Sequence, residues 1–145
     1  MPQNQNRALL HFVWATYDRM PWVTKEIADE LYQYIKAVAI DDRCDVLAIG
    51  GMPDHVHLFV RIATTISIAE LMKHVKGGSS RLVRRNLAPE AFFQWQGSYG
   101  VYSVSPSHKK RVVAYIQNQE RRHHQGALWL EAEQTFEEQD DLEEA

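Results

Sequence analysis

Two histidines one residue apart form the most chemically suggestive feature of this chain. His55 and His57 open an apolar, β-branched run within the sequence Met-Pro-Asp-His-Val-His-Leu-Phe-Val. Because side chains alternate across a strand, we expect both imidazoles on one face and Val56 on the other. Neutral imidazole is a good ligand for divalent metals, so the pair would supply half of a metal site. Many strands carry two histidines by chance, and the pattern alone is weak.

A tyrosine and a glutamine further along the chain strengthen this interpretation. Tyr115 and Gln119 are four residues apart in a predicted helix and therefore project from one face. A phenol that is deprotonated or assisted by a metal can attack phosphorus and form a covalent phosphotyrosine. A glutamine oxygen would complete a two-histidine shell that suits Mg²⁺ or Mn²⁺ at least as well as Zn²⁺, because no thiolate is present. The plainer alternatives are a tyrosine that anchors the helix and a solvated glutamine.

Hydrophobic periodicity and capping signals predict the elements that would hold these side chains. Strands are expected over residues 8–16, 46–51, 55–62 and 99–105. Helices are expected from the Thr24 cap to about 41, from the capping box at Ser67 to at least 76, and from Ser105 to about 122. The first helix carries an apolar stripe, and the glycines at 77 and 78 should weaken the second helix before a basic stretch over 79–85. Gly126 is a plausible stop for the last helix. The apolar stripe of the first helix consists of Ile27, Leu31, Ile35 and Val38.

The order β-α-β-β-α-β-α favours an α+β fold. We expect a ferredoxin-like split βαβ antiparallel sheet, with an added C-terminal helix that carries Tyr115. Residues 1–130 would form a single domain and residues 131–145 an acidic C-terminal tail.

Composition favours a cytoplasmic protein. The chain has 145 residues, of which 45% are hydrophobic and 24% charged, as is ordinary for globular proteins. Cys44 is the only cysteine, so no intrachain disulfide can form and a reducing compartment is favoured. No apolar run approaches the roughly 18 residues that span a bilayer, and residues 1–6 lack the pattern of a secretion signal.

The formal net charge of −3 hides a segregation of charge along the chain. Residues 131–145 hold eight acids and no Lys or Arg, which leaves residues 1–130 with a net charge of +5. Between residues 71 and 122, ten basic residues face two acids. Such an excess is expected of a protein that binds a phosphate backbone, although it could also merely solvate two helix faces. The tail is most simply a solvated end; an autoinhibitory mimic of nucleic acid is the alternative.

Several ordered motifs together resemble one family. The Pro-Asp-His-Val-His-Leu segment at 53–58 and the Tyr-Ile-Gln-Asn-Gln segment at 115–119 resemble the IS200/IS605-type single-tyrosine transposases and their repeat-associated relatives, within the HUH endonucleases. The segments 11–17, 76–80 and 95–100 also sit where the family has similar stretches. The resemblance covers about residues 8–124 in the right order.

The resemblance implies a role for each of these residues. Tyr115 would be the nucleophile that cleaves single-stranded DNA and leaves a 5′-phosphotyrosine and a free 3′-hydroxyl. His55, His57 and Gln119 would bind the metal, and strand rejoining would need no nucleotide cofactor. Family members are dimers that recognise DNA hairpins, and Tyr115 could serve the histidines of the other subunit. His11 would lie near the DNA or pack under the sheet. The other DNA-contacting candidates are Lys73, Lys76, Ser79, Arg81, Arg84, Arg85, Lys109, Lys110, Arg111 and Arg122.

Three alternatives stay open at this point. A domesticated repeat-associated nuclease could process chromosomal palindromes without mobilising an element. A non-catalytic protein could bind DNA hairpins with the same fold and basic face, but it would not require Tyr115, His55 and His57. A small metal-binding regulatory domain would explain the histidines but not the segregated basic charge.

Overall fold

A computed structural model describes residues 6–119 of the chain. Four strands and three helices alternate in the predicted order. The strands are β1 (Leu9–Ala15), β2 (Asp45–Met52), β3 (His55–Arg61) and β4 (Gly100–Val104). The helices are α1 (Lys25–Asp41), α2 (Ile68–Leu82) and α3 (Lys109–Gln117).

The strands form one antiparallel sheet in the order β2-β3-β1-β4. β3 lies between β1 and β2, which are joined through α1, so this half of the molecule is a split βαβ unit. β4 lacks one residue at each end of the predicted strand over 99–105. Pro53 and Asp54 form the turn between β2 and β3, as predicted. The predicted α+β, ferredoxin-like fold is confirmed.

The two faces of the sheet carry different layers. One face packs against α1 and α2 in the larger core, which includes Phe12, Trp14 and Leu58. The opposite face packs against α3 in a smaller core that includes Phe59 and Ile116. β1 and β3 therefore contribute alternate residues to each layer, which puts the histidines of β3 under α3.

The expected weakening of the second helix at its two glycines is wrong. α2 runs unbroken from Ile68 to Leu82 and continues into a π-helical turn over Val83–Leu87. Gly78 is buried where α2 crosses α1, and a Cβ atom there would collide with the hydroxyl of Tyr34. Close packing between the two helices thus compensates for the low helix propensity of glycine.

Three smaller expectations also change. The buried stripe of α1 ends at Ala39 rather than Val38, which is only partly buried. The segment after Ser105 begins as a 3₁₀ turn over Pro106–His108, and the α-helix starts at Lys109. α3 ends at Gln117, with Asn118 as its C-cap, which is earlier than the predicted end near Arg122. Residues 120–122 and the predicted stop at Gly126 lie outside the described residues.

Candidate active site

His55 and His57 lie side by side on the α3 face of the sheet, as the alternation of β3 predicts. Both side chains are fully buried, and their ring centroids are 5.1 Å apart with the planes nearly perpendicular. Val56 points to the opposite face and joins the larger core. The strand therefore presents two imidazoles from a rigid, packed backbone.

A third histidine belongs to this cluster. His11 on β1 is buried, and its Nε2 atom lies 2.8 Å from Nδ1 of His57. The two rings stack with centroids 5.0 Å apart. Burial, followed by the charge of His57, lowers the pKa of His11 well below its usual range, so His11 is neutral. Of the two expected positions, the structure places His11 against the site, in contact with a predicted metal ligand.

Asp54 orients His55 from the turn that precedes β3. Its Oδ1 atom lies 2.8 Å from Nδ1 of His55, and Arg19 donates to its other oxygen over 3.3 Å. Burial raises the pKa of Asp54, but the hydrogen bond and charge of His55 and the Arg19 guanidinium outweigh burial, and the net pKa is lowered. From the sequence, Asp54 is expected only to form the turn before β3. The signal that the sequence contained was a carboxylate directly before a candidate ligand, since such carboxylates commonly fix the ligating ring.

The contact between His55 and Gln119 fits a cation. Nε2 of His55 lies 3.2 Å from Oε1 of Gln119. Because the Asp54 carboxylate only accepts hydrogen bonds, Nδ1 of His55 carries the proton, and neutral His55 then turns a lone pair toward another acceptor. A metal ion between the two atoms would relieve that opposition. The separation is close to the about 3.0 Å expected between neighbouring ligands of an octahedral ion with bonds of about 2.1 Å.

The donor set in the described residues is small. No cluster of three or more His, Cys, Asp or Glu side chains within residues 6–119 could hold an ion by itself. The predicted shell of His55, His57 and Gln119 therefore depends on the amide oxygen, and leaves coordination positions for oxygens from outside the protein. These nitrogen and oxygen donors fit Mg²⁺ or Mn²⁺. The choice of metal stays a prediction.

Tyr115 reaches the same cluster from α3 of its own chain. Its ring meets that of His57 edge-on, with centroids 5.6 Å apart, and that of His11 at 6.5 Å. Gln119 follows one turn later, and its Nε2 atom lies 3.4 Å from the carbonyl oxygen of Tyr115. The spacing of four residues thus brings both side chains to the histidines.

Gly50 permits this approach of α3. It pairs with His57 across β2 and β3, and a Cβ atom on it would lie only 2.7 Å from the carbonyl oxygen of Ile116. Real Cβ contacts are essentially never that short, so a larger residue would push α3 away from the sheet. Sequence reasoning missed Gly50, because a glycine inside a strand marks a close approach without naming the partner.

The site is closed in this arrangement. Tyr115 and Gln119 are each 2% exposed, and the three histidines are 1% exposed or less.

The basic side chains divide between the two faces of the sheet. Lys109, Lys110 and Arg111 open α3 on the histidine face, the first two exposed and the third half-buried. A second exposed group lies on α2 and the following turn, on the opposite layer: Lys73, Arg81, Arg84 and Arg85. Up to residue 119, where the structure describes the chain, these exposed basic side chains thus fall on two opposite faces of the sheet.

Two of the predicted DNA contacts are engaged inside the protein. Ser79 is fully buried; its hydroxyl donates to the carbonyl of Val75 and accepts from Nε1 of Trp95. Lys76 donates to the carbonyl oxygens of Gln96 and Ser98 at 2.6 and 3.2 Å, and burial lowers its pKa. Both residues fix the loop before β4 onto α2, and their DNA contacts stay predictions. Arg122 and the tail over 131–145 lie outside the described residues, and the proposed boundary at residue 130 stays a prediction.

None of the helices described in residues 6–119 combines the length and the apolar character that a membrane crossing requires.

Comparison with known proteins agrees with this architecture. The chain is 28% identical over 114 residues to the ISDra2 transposase TnpA of Deinococcus radiodurans, covering 75% of this chain and 81% of that protein. A crystal structure described as a transposase of Deinococcus radiodurans R1 superposes with a TM-score of 0.64 at 27% identity, over 82% of this chain and 98% of the other. A REP-associated tyrosine transposase bound to a REP hairpin shares the fold, with a TM-score of 0.63 at 14% identity, over 85% of this chain and 74% of that one. A model of the IS200-like transposases matches residues 4–119, and the chain belongs to that family.

Proposed function

We propose that this protein is a metal-dependent HUH single-tyrosine transposase that cleaves and rejoins single-stranded DNA through a 5′-phosphotyrosine. One observation carries the proposal. Tyr115 of α3 and Gln119, two residues past its end, meet His55 and His57 of β3 on one face of the sheet, within a single chain.

Tyr115 would carry out the covalent step. Its phenol oxygen forms a bond to the scissile phosphorus, and the bond from phosphorus to the 3′-oxygen breaks. The phenol gives up its proton to solvent, and the leaving 3′-oxygen takes one up. A later attack by a 3′-hydroxyl on the phosphotyrosine reverses these changes, so the phosphodiester energy is conserved and no nucleotide cofactor is needed.

His55, His57 and Gln119 would hold Mg²⁺ or Mn²⁺. When bound, the metal polarises the scissile phosphate and fixes its orientation. The residues behind the ligands prepare this site: Asp54 holds the ring of His55 and His11 holds the ring of His57.

The DNA partner would be a single strand with hairpin ends. The relative bound to a REP hairpin shares this fold, which supports a hairpin ligand for this chain as well. Phosphate contacts would come first from Lys109, Lys110 and Arg111, because these side chains lie on the histidine face. The proposal includes a homodimer but assigns no surface to its interface. The protein would act in the cytoplasm.

A repeat-associated nuclease that processes palindromes without moving an element is the second candidate. The fold shared with the REP-associated transposase favours it. Both candidates use the same chemistry, so they differ in their DNA substrate.

The proposal is tested by incubating end-labelled single-stranded DNA hairpins with the full chain, with Mg²⁺ or Mn²⁺ and separately with a chelator. We expect metal-dependent cleavage of the single strand that yields a free 3′-hydroxyl. Tight hairpin binding with no cleavage under any metal would contradict it and favour a non-catalytic hairpin-binding protein.

A further inference from the structure

Two exposed aromatic side chains stand on neighbouring segments of the surface. Tyr17 is 52% exposed, and Phe92 is 87% exposed. Their segments are hydrogen-bonded to each other: the amide of Tyr17 donates to the carbonyl of Gln94 over 2.9 Å, and Thr16 bridges Trp95. The two rings are therefore carried by two backbone segments that are hydrogen-bonded to each other.

The segment that carries Tyr17 is attached to the candidate active site. β1 ends at Ala15, which pairs with His55. The next residue, Thr16, donates its amide to the carbonyl of Asp54 over 3.0 Å, and the Arg19 side chain contacts the carboxylate of Asp54. Tyr17 thus lies between two residues that contact the group orienting His55.

The backbone here is held in an unfavourable conformation. Four non-glycine residues among 6–119 have a positive φ, and three of them lie in these segments: Asp18 at 53°, Arg19 at 56° and Phe92 at 54°. Such conformations persist only where the surroundings impose them, and they cluster at functional sites. The neighbouring ring of Phe93 is buried against those of Trp22 and Trp95, at 5.6 and 4.6 Å, which leaves Phe92 turned outward.

We infer that Tyr17 and Phe92 form a stacking platform for unpaired bases of the DNA strand next to the candidate active site. The inference rests on the proposed function and adds a base-binding surface to it. Unpaired bases expose two aromatic faces and bind sequence-tolerantly to exposed rings, as is common in single-strand-binding proteins. Arg19, two residues after Tyr17, is ion-paired with Asp54 and so ties the Tyr17 segment to the candidate site.

The exposed residues Asp18 and Gln94 follow the two rings closely in the sequence, and Met20 in the Tyr17 segment is 39% exposed. A single exposed ring suffices to stack one base, so binding of unpaired bases needs no broad apolar face.

The test measures binding of the full chain to a fluorescent single-stranded hairpin oligonucleotide. Tyr17→Leu and Phe92→Leu keep an apolar side chain but lose the aromatic face, and each should weaken binding by on the order of ten-fold. Tyr17→Phe and Phe92→Tyr keep the ring and should bind as the wild type does. Ile40→Ala is the matched control, because Ile40 is 61% exposed near the end of α1, away from His55.

Abasic nucleotides placed one at a time through the single-stranded segment give the second arm. At the stacked position, the abasic site should lower the DNA affinity of the wild type about as much as the leucine substitution does. It should not lower the DNA affinity of the leucine variant any further. Unchanged melting temperatures would show that the variants are folded.

The inference is overturned if both leucine variants bind like the wild type, or if the abasic effects add to theirs at every position. It is also overturned if the variants change the sedimentation of the protein rather than its DNA affinity, since the rings would then join two copies. If the wild type cleaves DNA and the leucine variants bind DNA as well as it does, only the stacking platform is contradicted and the proposed function stands. A wild type that binds no single-stranded DNA removes the proposed function with it.

Discussion

The Nε2 atom of His11 lies 2.8 Å from the Nδ1 atom of His57, and this contact joins β1 to β3 beneath the ring of Tyr115. Because burial lowers the pKa of His11, its neutral ring can accept a hydrogen bond at Nε2 when His57 is in the tautomer that carries its proton on Nδ1. That arrangement leaves the second nitrogen of His57 with a lone pair, which a metal ligand needs. His11 would thus act on the metal through its neighbour.

Replacing His11 by Phe tests this role. The phenyl ring fills much of the same space but leaves Nδ1 of His57 buried without this partner, so the free energy of unfolding should fall by about 1–3 kcal/mol. Metal affinity, measured by calorimetry, should fall as well. His74→Phe is the control, since His74 is half exposed and contacts Asp42 away from the site. An unchanged metal affinity in His11→Phe would remove His11 from the account.

Asp54→Asn should weaken metal binding without unfolding the protein. The amide keeps the size of the carboxylate but loses the charge that fixes His55, and outer partners of this kind are worth about 10–100-fold in metal affinity. Asp45→Asn is the matched control, because Asp45 pairs with Arg61 at the exposed opposite end of the sheet. Equal metal affinities in the two variants would refute the positioning role of Asp54.

Gln119→Ala should weaken the dependence of cleavage on metal more than it weakens DNA binding. The reason is that Oε1 of Gln119 faces Nε2 of His55, where the third ligand is proposed. Gln117→Ala is the control, because Gln117 is the last residue of α3, two residues before Gln119, and its side chain is exposed; it should change neither property. If cleavage by Gln119→Ala depends on metal concentration as cleavage by the wild type does, Gln119 is not a ligand.

Lys109 and Lys110 should account for part of the salt dependence of DNA binding. Removing two phosphate contacts with single-stranded DNA should reduce the slope of log K against log salt by about 1.4. We expect the Lys109→Ala/Lys110→Ala pair to have this effect. Lys73→Ala with Arg81→Ala should have less, because these two side chains lie on α2, on the opposite face of the sheet. The reverse ranking would place the DNA on the α2 face.

Local patterns in the sequence predict most of the fold and the core of the site. Alternation along β3 puts His55 and His57 on one face, and helical spacing puts Tyr115 near Gln119; both arrangements are present. The order of elements was enough to predict the split βαβ sheet. These features depend on neighbours within a few residues, which is why periodicity captures them.

Contacts between distant segments account for what the sequence did not predict. His11 meets His57 only through the register of β1 against β3, in which His11 pairs with Phe59. Gly50 is needed where α3 packs closely on β2, because a Cβ atom there would meet the backbone of Ile116, and Gly78 lies where α2 packs against the side chain of Tyr34. Propensity alone gives the wrong prediction at Gly78, because the packing of α2 against α1 outweighs it.

The most direct test of the account is the identity of the residue that becomes attached to DNA. The full chain should be incubated with Mn²⁺ and a single-stranded hairpin oligonucleotide, then digested, and the DNA-linked peptide identified by mass spectrometry. The account predicts a phosphodiester on Tyr115, no adduct in Tyr115→Phe, and none after chelation. Tyr102 of β4, whose ring centroid is 6.4 Å from that of His11, is the control, and Tyr102→Phe should still form the adduct. An adduct that persists in Tyr115→Phe, or that maps to another tyrosine, would contradict the central claim.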